Sequence, residues 1–307
     1  MIARTGHAQI WWLVLLFAVE PLTGGERPAA GLRIATYNVR NYTAADRMVR
    51  DVYRPEYPKP ESEKTALRAV IEALDADVLA LQEMGGEPYL RELQRDLRSE
   101  GVDYPTAVFM RANDSERGLA VLSRVPLAQV VRHADLDFPY LHGRESVRRG
   151  MLEVRLPAPG GEVSLFVVHL KSRYTERDDD PDSVIRRGAE ATAARNRVWE
   201  RFPSPTEPTA RFAIVGDFND GPRSRAVRAF ASRGESALSA LLPAADSRGE
   251  TWTYFYARED VYSRVDHVMV SAALAAEIAG GAATIYDGPG TAEASDHRPV
   301  LFTLLKR

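Results

Sequence analysis

The chain has 307 residues, 45% of them hydrophobic and 27% charged, a make-up that excludes a disordered or fibrous chain and allows a sizeable buried core. A formal net charge of -3 excludes a globally basic nucleic-acid binder, so any polyanionic partner must meet local basic patches. Cysteine is absent, which excludes disulfides, thiolate metal sites and a lipidated cysteine anchor.

Met1 to Gln9 carries Arg4 and no acid, Ile10 to Val19 is an unbroken apolar run, and Glu20-Pro21 stops it. The run is too short to span a bilayer comfortably and fits the apolar part of a secretory signal. Residues 1–30 are therefore expected to be a leader and the protein exported, periplasmic or secreted. An uncleaved N-terminal membrane anchor is the alternative.

Leu32 to Val39 alternates and predicts a strand with Asn38 at its end. Tyr42 to Pro60, rich in tyrosine, proline and charge without a period, predicts a loop or mobile flap. Ser62 opens a helix with Leu67, Val70, Ile71 and Leu74 at helical spacing, and Val78 to Leu81 predicts a second buried strand ending at Gln82-Glu83. Leu90, Leu93 and Leu97 mark another helix. Strands follow at 106–110, 119–123, 127–133, 151–156 and 163–171, the last two joined by the hairpin connection Pro157 to Gly161. Tyr174 to Asp182 predicts a charged loop whose run Asp178-Asp179-Asp180 is solvated. A helix is expected over Ser183 to Phe202, then a proline-rich crossing to the strand Phe212 to Val215. Short helices at 223–232 and 236–242 precede strands at 251–256, 265–270, 283–286 and 299–305. With no internal repeat and no long linker, residues 31–307 are expected to form one domain.

Gly216-Asp217-Phe218-Asn219-Asp220 closes the strand that begins at Phe212. Alternation points Asp217 and Asn219 one way and Phe218 the other. The carboxylate can bind a hard cation or take a proton, and the amide can donate without carrying charge; a local Asx turn is the alternative for these residues alone. Asn38, Glu83, His169, Asp217 with Asn219, Asp266, and Asp296 with His297 each fall at or just past the end of a different apolar strand. Strand ends are where a rigid scaffold gathers groups from distant parts of a chain. His267, beside Asp266 on one strand, must face the opposite layer and is expected to be core or surface.

Seven segments resemble, in order, the motif set of the endonuclease/exonuclease/phosphatase superfamily. They are Thr36-Tyr37-Asn38-Val39, Leu81-Gln82-Glu83, Arg117 to Ser123, His169-Leu170-Lys171-Ser172, Gly216-Asp217-Phe218-Asn219, Val265-Asp266-His267-Val268 and Ser295 to Val300. That superfamily includes pancreatic-type deoxyribonucleases, abasic-site endonucleases, bacterial sphingomyelinases and inositol polyphosphate phosphatases. The resemblance runs from about Leu32 to the C-terminus and implies an α+β fold, a four-layer αββα sandwich of two packed mixed β-sheets flanked by helices.

By the same resemblance, Glu83 matches the principal divalent-metal ligand, with Asn38 and Asp296 beside it. The metal implied is Mg2+, with Mn2+ or Ca2+ as alternatives. Asp217 matches the acid that orients or deprotonates the attacking water, and Asn219 the amide that steadies the phosphoryl group. His297 matches the catalytic histidine, kept cationic by Asp266. His169 matches a second histidine that donates to a non-bridging oxygen, with Glu116 as its orienting carboxylate. Two basic clusters stand apart, Arg144 with Arg148 and Arg149, and Arg186 with Arg187. Among these cations Lys171 and Arg148 are the candidates for substrate phosphates.

The activity implied is metal-dependent hydrolysis of a phosphodiester by in-line attack of water. The leading substrate is DNA or RNA, because no hydrophobic lipid-anchoring hairpin is evident and Tyr42, Tyr53 and Tyr57 offer rings for bases to stack on. A phospholipid or small phosphoester is the second reading. A non-catalytic scaffold on the same fold is the third, disfavoured because every matched position keeps its reactive side chain. No protein partner is implied, and a monomer is expected.

Overall fold

Strands with apolar side chains need cover on both faces, and helices with one apolar stripe need a sheet to lie on. The computed structural model describes residues 31–305, and the leader expected at residues 1–30 lies outside them. The chain begins with β1 (Leu32–Tyr42), the hairpin β2 (Ala44–Val49) and β3 (Val52–Pro58), α1 (Glu61–Leu74), β4 (Val78–Met84) and α2 (Glu87–Ser99). It continues through β5 (Thr106–Met110), β6 (Gly118–Ser123), β7 (Gln129–His133) and the hairpin β8 (Asp137–Tyr140) and β9 (Gly143–Ser146). After these come β10 (Met151–Ala158), β11 (Gly161–His169), α3 (Val184–Arg201), β12 (Phe212–Asp217) and α4 (Arg225–Ala231).

Seven strands form one sheet, in the order Ala244–Ala245, Ala283–Ile285, Val300–Leu304, β1, β4, β6, β5. Six form the other, in the order Ala240–Leu241, Asp266–Val270, β12, β11, β10, β7. Both are mixed: β1 runs parallel to β4 and β11 parallel to β12, with antiparallel neighbours on their other edges. Alternation gives each strand two apolar faces. Ile34, Ala80 and Val121 pack with Val154, Leu165, Val167, Val215 and Val268 in the layer between the sheets. The opposite faces carry Ala35, Leu79 and Leu81 under α1 and α2, and Phe166, Phe212 and Ile214 under α3 and α4. Four layers result, αββα, as the resemblance implies. Among the described residues no helix is long and apolar enough to cross a membrane.

Several expectations are corrected. The stretch from Tyr42 to Pro60 is not a loop but the β2–β3 ribbon, and β3 is exposed along its whole length. A ribbon wet on both faces needs no alternation, so periodicity is silent there. Beside its turn at Arg50-Asp51, Met48, Val52 and Tyr53 are 65%, 49% and 60% exposed. Residues 138–149 likewise hold the β8–β9 hairpin, with Phe138 and Tyr140 buried. The helix expected at 236–242 is absent; Ala240–Leu241 instead adds to the sheet edge beside Asp266–Val270. So short a segment is a poor helix nucleus, whereas an open edge offers backbone partners at once. The strand expected at 251–256 shrinks to Tyr254–Tyr256, paired with Val261–Ser263. Finally, Asp180 is buried rather than solvated. It accepts from the Tyr140 hydroxyl at 2.9 Å and from the N–H groups of Ile185 and Arg186 at 2.8 and 3.0 Å, satisfying the first turn of α3.

Gly216 lets β12 lie against β11. Its φ is +136°, and a Cβ there would fall 2.0 Å from the Val168 carbonyl oxygen. Gly216→Ala is expected to destabilise the fold by about 1–3 kcal/mol through backbone strain and overpacking. Urea denaturation checks this, and an unmoved midpoint would show that the two strands separate at no cost.

Candidate active site

The same parity that buries the inter-sheet core delivers its polar end. Thr36 and Asn38 continue the inward face of Ile34, His169 that of Val167, Asp217 that of Val215, and Asp266 that of Val268. Register then sets them side by side, His169 opposite Asp217 and Asp217 opposite Asp266. His297 arrives from the turn before Val300–Leu304.

His297 Nδ1 lies 2.8 Å from Asp266 Oδ2, and its Nε2 lies 3.8 Å from Asp217 Oδ2. That Asp217 oxygen also accepts from Asn38 Nδ2 at 3.0 Å and Asn219 Nδ2 at 3.2 Å, and faces His169 Nε2 at 3.5 Å. Asp217 Oδ1 accepts the Asn219 backbone N–H at 2.7 Å, so an Asx turn and a clustered site coexist in one segment. Phe218 points away into the outer layer, where its ring meets Phe230 and His267. His267 is buried there with Nε2 2.8 Å from the Asp220 carbonyl, as its parity requires.

Burial alone would hold His297 neutral, but Asp266 and Asp217, with the Asp266 hydrogen bond and Asp296 behind them, push it up to about 10. Burial raises the Asp217 carboxyl to about 7, opposed by the His297 cation and reinforced by Asp266 and Glu83. His169 is driven well below the ordinary histidine range by burial, then by the cations of Arg149, His297, Arg117 and Arg148. The site thus holds one cationic and one neutral imidazole. Glu116 does not orient His169: its carboxylate is exposed and lies 3.6 Å from Arg117, while His169 Nδ1 is buried without a hydrogen-bond partner.

Ligand atoms of Asp217, Asp266 and His297 all fall within 4.8 Å of one another, a spacing that would suit a metal ion. A protonated imidazole has no lone pair to give, so this trio is an acid-base network rather than a cation nest. The oxygens left over suit a hard cation better. Glu83 receives the Asn41 N–H on Oε2 at 2.8 Å and keeps Oε1 3.9 Å from His169. Asp296 lies 3.7 Å from Arg40 Nε and 3.5 Å from Ser295 Oγ. Asn38 Oδ1 accepts the Arg40 N–H at 3.0 Å. The Tyr254 phenol, beside His297, is raised to about 12 by burial first and then by the charges of Asp296, Tyr256, Asp217 and Glu83. An oxygen-only, acid-rich donor set fits a divalent cation such as Mg2+.

Other expected residues fall outside this centre. Lys171 turns its ammonium onto the carbonyls of Ser172 and Tyr174, and burial with Arg149, Arg186 and Arg148 nearby lowers it to about 8. Arg148 is half-exposed and shares the buried carboxylate of Asp114 with Arg149, at 3.1 and 2.9 Å. Arg187 is buried in structural bonds to Asp220 and to the carbonyls of Lys171 and Asp182, and Arg186 pairs with Glu145. Arg144 pairs with Asp137 on the β8–β9 hairpin.

Sequence reasoning missed the groups that hold the site. Parity alone would aim Glu83 at the outer layer; a break in register and a φ of +64° re-aim it inward. Asn41, also left-handed at φ +49°, gives Glu83 its N–H and receives Arg117 Nε on Oδ1 at 2.6 Å. Thr253 Oγ1 accepts the N–H of Val265 and of Asp266, and Ser295 Oγ joins Asn38 O to the His297 N–H. The ring of Tyr254 lies 4.7 Å from that of His297. Of these, Arg117 and Ser295 stand inside the matched segments, where no role was assigned to them, and Asn41, Thr253 and Tyr254 lie outside those segments.

A model of the Endonuclease/Exonuclease/phosphatase family matches residues 35–297. Solved structures with the same fold include the human Nocturnin catalytic domain with bound sulfate anion, at TM-score 0.64 and 16% identity over 90% of this chain and 95% of that one. Sphingomyelinase C from Streptomyces griseocarneus matches at TM-score 0.61 and 16% identity, over 90% of this chain and 100% of that one. A mutant beta toxin from Staphylococcus aureus with bound magnesium ions matches at TM-score 0.59 and 12% identity, over 90% and 100%. No curated protein matches the sequence.

The charge on His297 is directly measurable. In nitrogen-detected NMR its imidazole should stay protonated through neutral pH and titrate near pH 10. Asp266→Asn removes the charge that opposes burial, so the midpoint should fall by about 1–3 pH units. A midpoint unmoved by that substitution would remove Asp266 as the source of the cation.

Proposed function

The chain belongs to the endonuclease/exonuclease/phosphatase family, and on that premise we propose that it is a divalent-metal-dependent phosphodiesterase acting by in-line attack of water. The observation that carries this reading is the buried Asp217, His297 and Asp266 network, with Asn38 donating to Asp217 and Glu83 facing His169 beside it. A phosphodiester is already anionic, so water attacks slowly until cationic and hydrogen-bonding groups offset the charge that grows on phosphorus.

Each residue then has a task. Asp217, its carboxyl raised toward neutrality, takes a proton from the attacking water as the new O–P bond forms and the opposite ester P–O bond breaks. Asn38 and Asn219 hold that carboxylate in place through their amides. His297 presents a fixed positive charge, and neutral His169 presents a donor to a non-bridging oxygen. Glu83, Asp296 and Asn38 would hold Mg2+, which would polarise the phosphoryl oxygens as a Lewis acid. Magnesium in the beta toxin and a tetrahedral sulfate in Nocturnin support this choice of metal and of substrate group.

Nucleic acid is the first substrate to assay, and half-exposed Arg148 is its candidate phosphate contact. A phospholipid-type diester is the second, favoured by two observations: sphingomyelinase C shares the fold, and the β2–β3 turn exposes Met48, Val52 and Tyr53. The apolar run Ile10 to Val19 supports an exported enzyme.

Hydrolysis of bis(p-nitrophenyl) phosphate should require Mg2+ and stop with a chelator. Glu83→Ala and His297→Ala should each lower kcat/KM by roughly a hundredfold or more, with unchanged circular dichroism. Full metal-dependent turnover by either variant would sink the assignment of these roles.

A further inference from the structure

We propose that Lys59 is a positioning residue for the metal site: its buried ammonium holds the peptide between Arg40 and Asn41 so that the Asn41 N–H fixes the Glu83 carboxylate for a divalent cation. The inference rests on the phosphodiesterase reading, in which Glu83 is a metal ligand, and names what orients that ligand.

β1 and β4 are in register at Asn38 opposite Gln82 and again at Tyr42 opposite Met84, so residues 39–41 of β1 stand against Glu83 alone. Arg40 and Asn41 are both left-handed there, at φ +46° and +49°, a conformation that costs energy outside glycine and persists only when its surroundings enforce it. A bulge has no ladder for its peptide groups, and each must find another partner. The Arg40 N–H donates to Asn38 Oδ1 at 3.0 Å and the Asn41 N–H to Glu83 Oε2 at 2.8 Å. On the carbonyl side, Lys59 Nζ lies 3.4 Å from the Arg40 oxygen, and Arg47 donates to the oxygens of Asn41 and Thr43.

The Arg40 C=O and the Asn41 N–H belong to one planar trans peptide and point in opposite directions. Holding the oxygen therefore aims the N–H. A positive charge beside that oxygen also polarises the peptide and strengthens the N–H as a donor to Glu83. With Oε2 anchored in this way, Oε1 stays on the His169 side of the site. Released, the Glu83 side chain would regain freedom that metal binding must then remove.

Two observations set Lys59 apart from an ordinary helix-end ion pair. Its side chain is wholly buried, while its carboxylate partner Glu63, 3.1 Å away in the first turn of α1, is 28% exposed. An i,i+4 pair gains little from such burial and desolvating an ammonium is costly, so an exposed pair would serve α1 as well. The second observation is that both cations come from one ribbon. Lys59 directly follows β3, and Arg47 on β2 also donates from Nε to the Tyr57 carbonyl of β3 at 3.1 Å. The β2–β3 ribbon thus clasps the bulge that serves Glu83.

Mn2+ alone, titrated into the whole protein with the unbound ion measured by electron paramagnetic resonance, reads the site without turnover. Lys59→Met keeps an apolar stem and removes the charge, and it is expected to raise the Mn2+ Kd by about tenfold, the scale on which groups that orient a ligand act. Arg47→Met releases the neighbouring carbonyls and should weaken Mn2+ in the same direction; it decides the question should Lys59→Met not fold. Arg68→Met is the structural control, since Arg68 is likewise a buried cation beside α1 but bonds to Glu61, Thr65 and Glu100. That variant should lower the urea midpoint and leave the Mn2+ Kd within about twofold. An unchanged Kd in a folded Lys59→Met, or an equal rise in Arg68→Met, overturns the inference and leaves the phosphodiesterase reading standing. A wild-type protein that binds no Mn2+ overturns both.

Discussion

Two carboxylates buried at the end of an apolar sandwich need a cation between them, and His297 supplies it. The antiparallel register that sets Asp217 opposite Asp266 leaves neither acid free to move away. A buried charge left without a partner is costly. The 2.8 Å contact of His297 Nδ1 with Asp266 instead stores one positive charge where water is excluded. Much of the surrounding structure serves to keep it there: Ser295 fixes the His297 backbone, Thr253 the Asp266 backbone, and the Tyr254 ring closes over the imidazole. A preformed charge of this kind costs no reorganisation when charge develops on phosphorus.

The parts of this arrangement that were legible in the sequence share one physical origin, the period-two alternation of strands. Asn38, His169, Asp217 and Asp266 all continue the apolar inward face of their own strand, so an alternating run followed by a polar residue of the same parity marks them. Glu83 violates that parity: its place at the end of an apolar run and among the matched segments marked it, but neither gave the direction it faces. What turns it inward is a backbone irregularity, a φ of +64°, and irregularities leave no period. The contact between Asn41 and Arg117 was invisible for a related reason. Asn41 acts through its main-chain N–H and a side-chain carbonyl that Arg117 reaches across 76 positions, and no local pattern encodes either contact. The β2–β3 ribbon was missed because a strand standing in solvent has no buried face to pattern, and Asp180 because a buried cap looks like any other acid in a run of acids.

The same distinction separates chemistry from selectivity. The acid-base residues sit on strands whose register fixes them, and a shift of one residue would turn them into the opposite layer. Of the two clefts that flank the centre, about 920 and 630 Å3, the larger takes its charged lining from exposed connections, residues 172–182 and the turn between Tyr254–Tyr256 and Val261–Ser263, where substitution costs little packing. One family can therefore keep its reaction while its substrates change. Tyr254 joins the two regimes, because it belongs to both: its backbone pairs with His297 and its ring walls both clefts. The side chain that walls the clefts is thus the one that packs on the His297 imidazole, so the variable surface and the fixed network meet at a single residue.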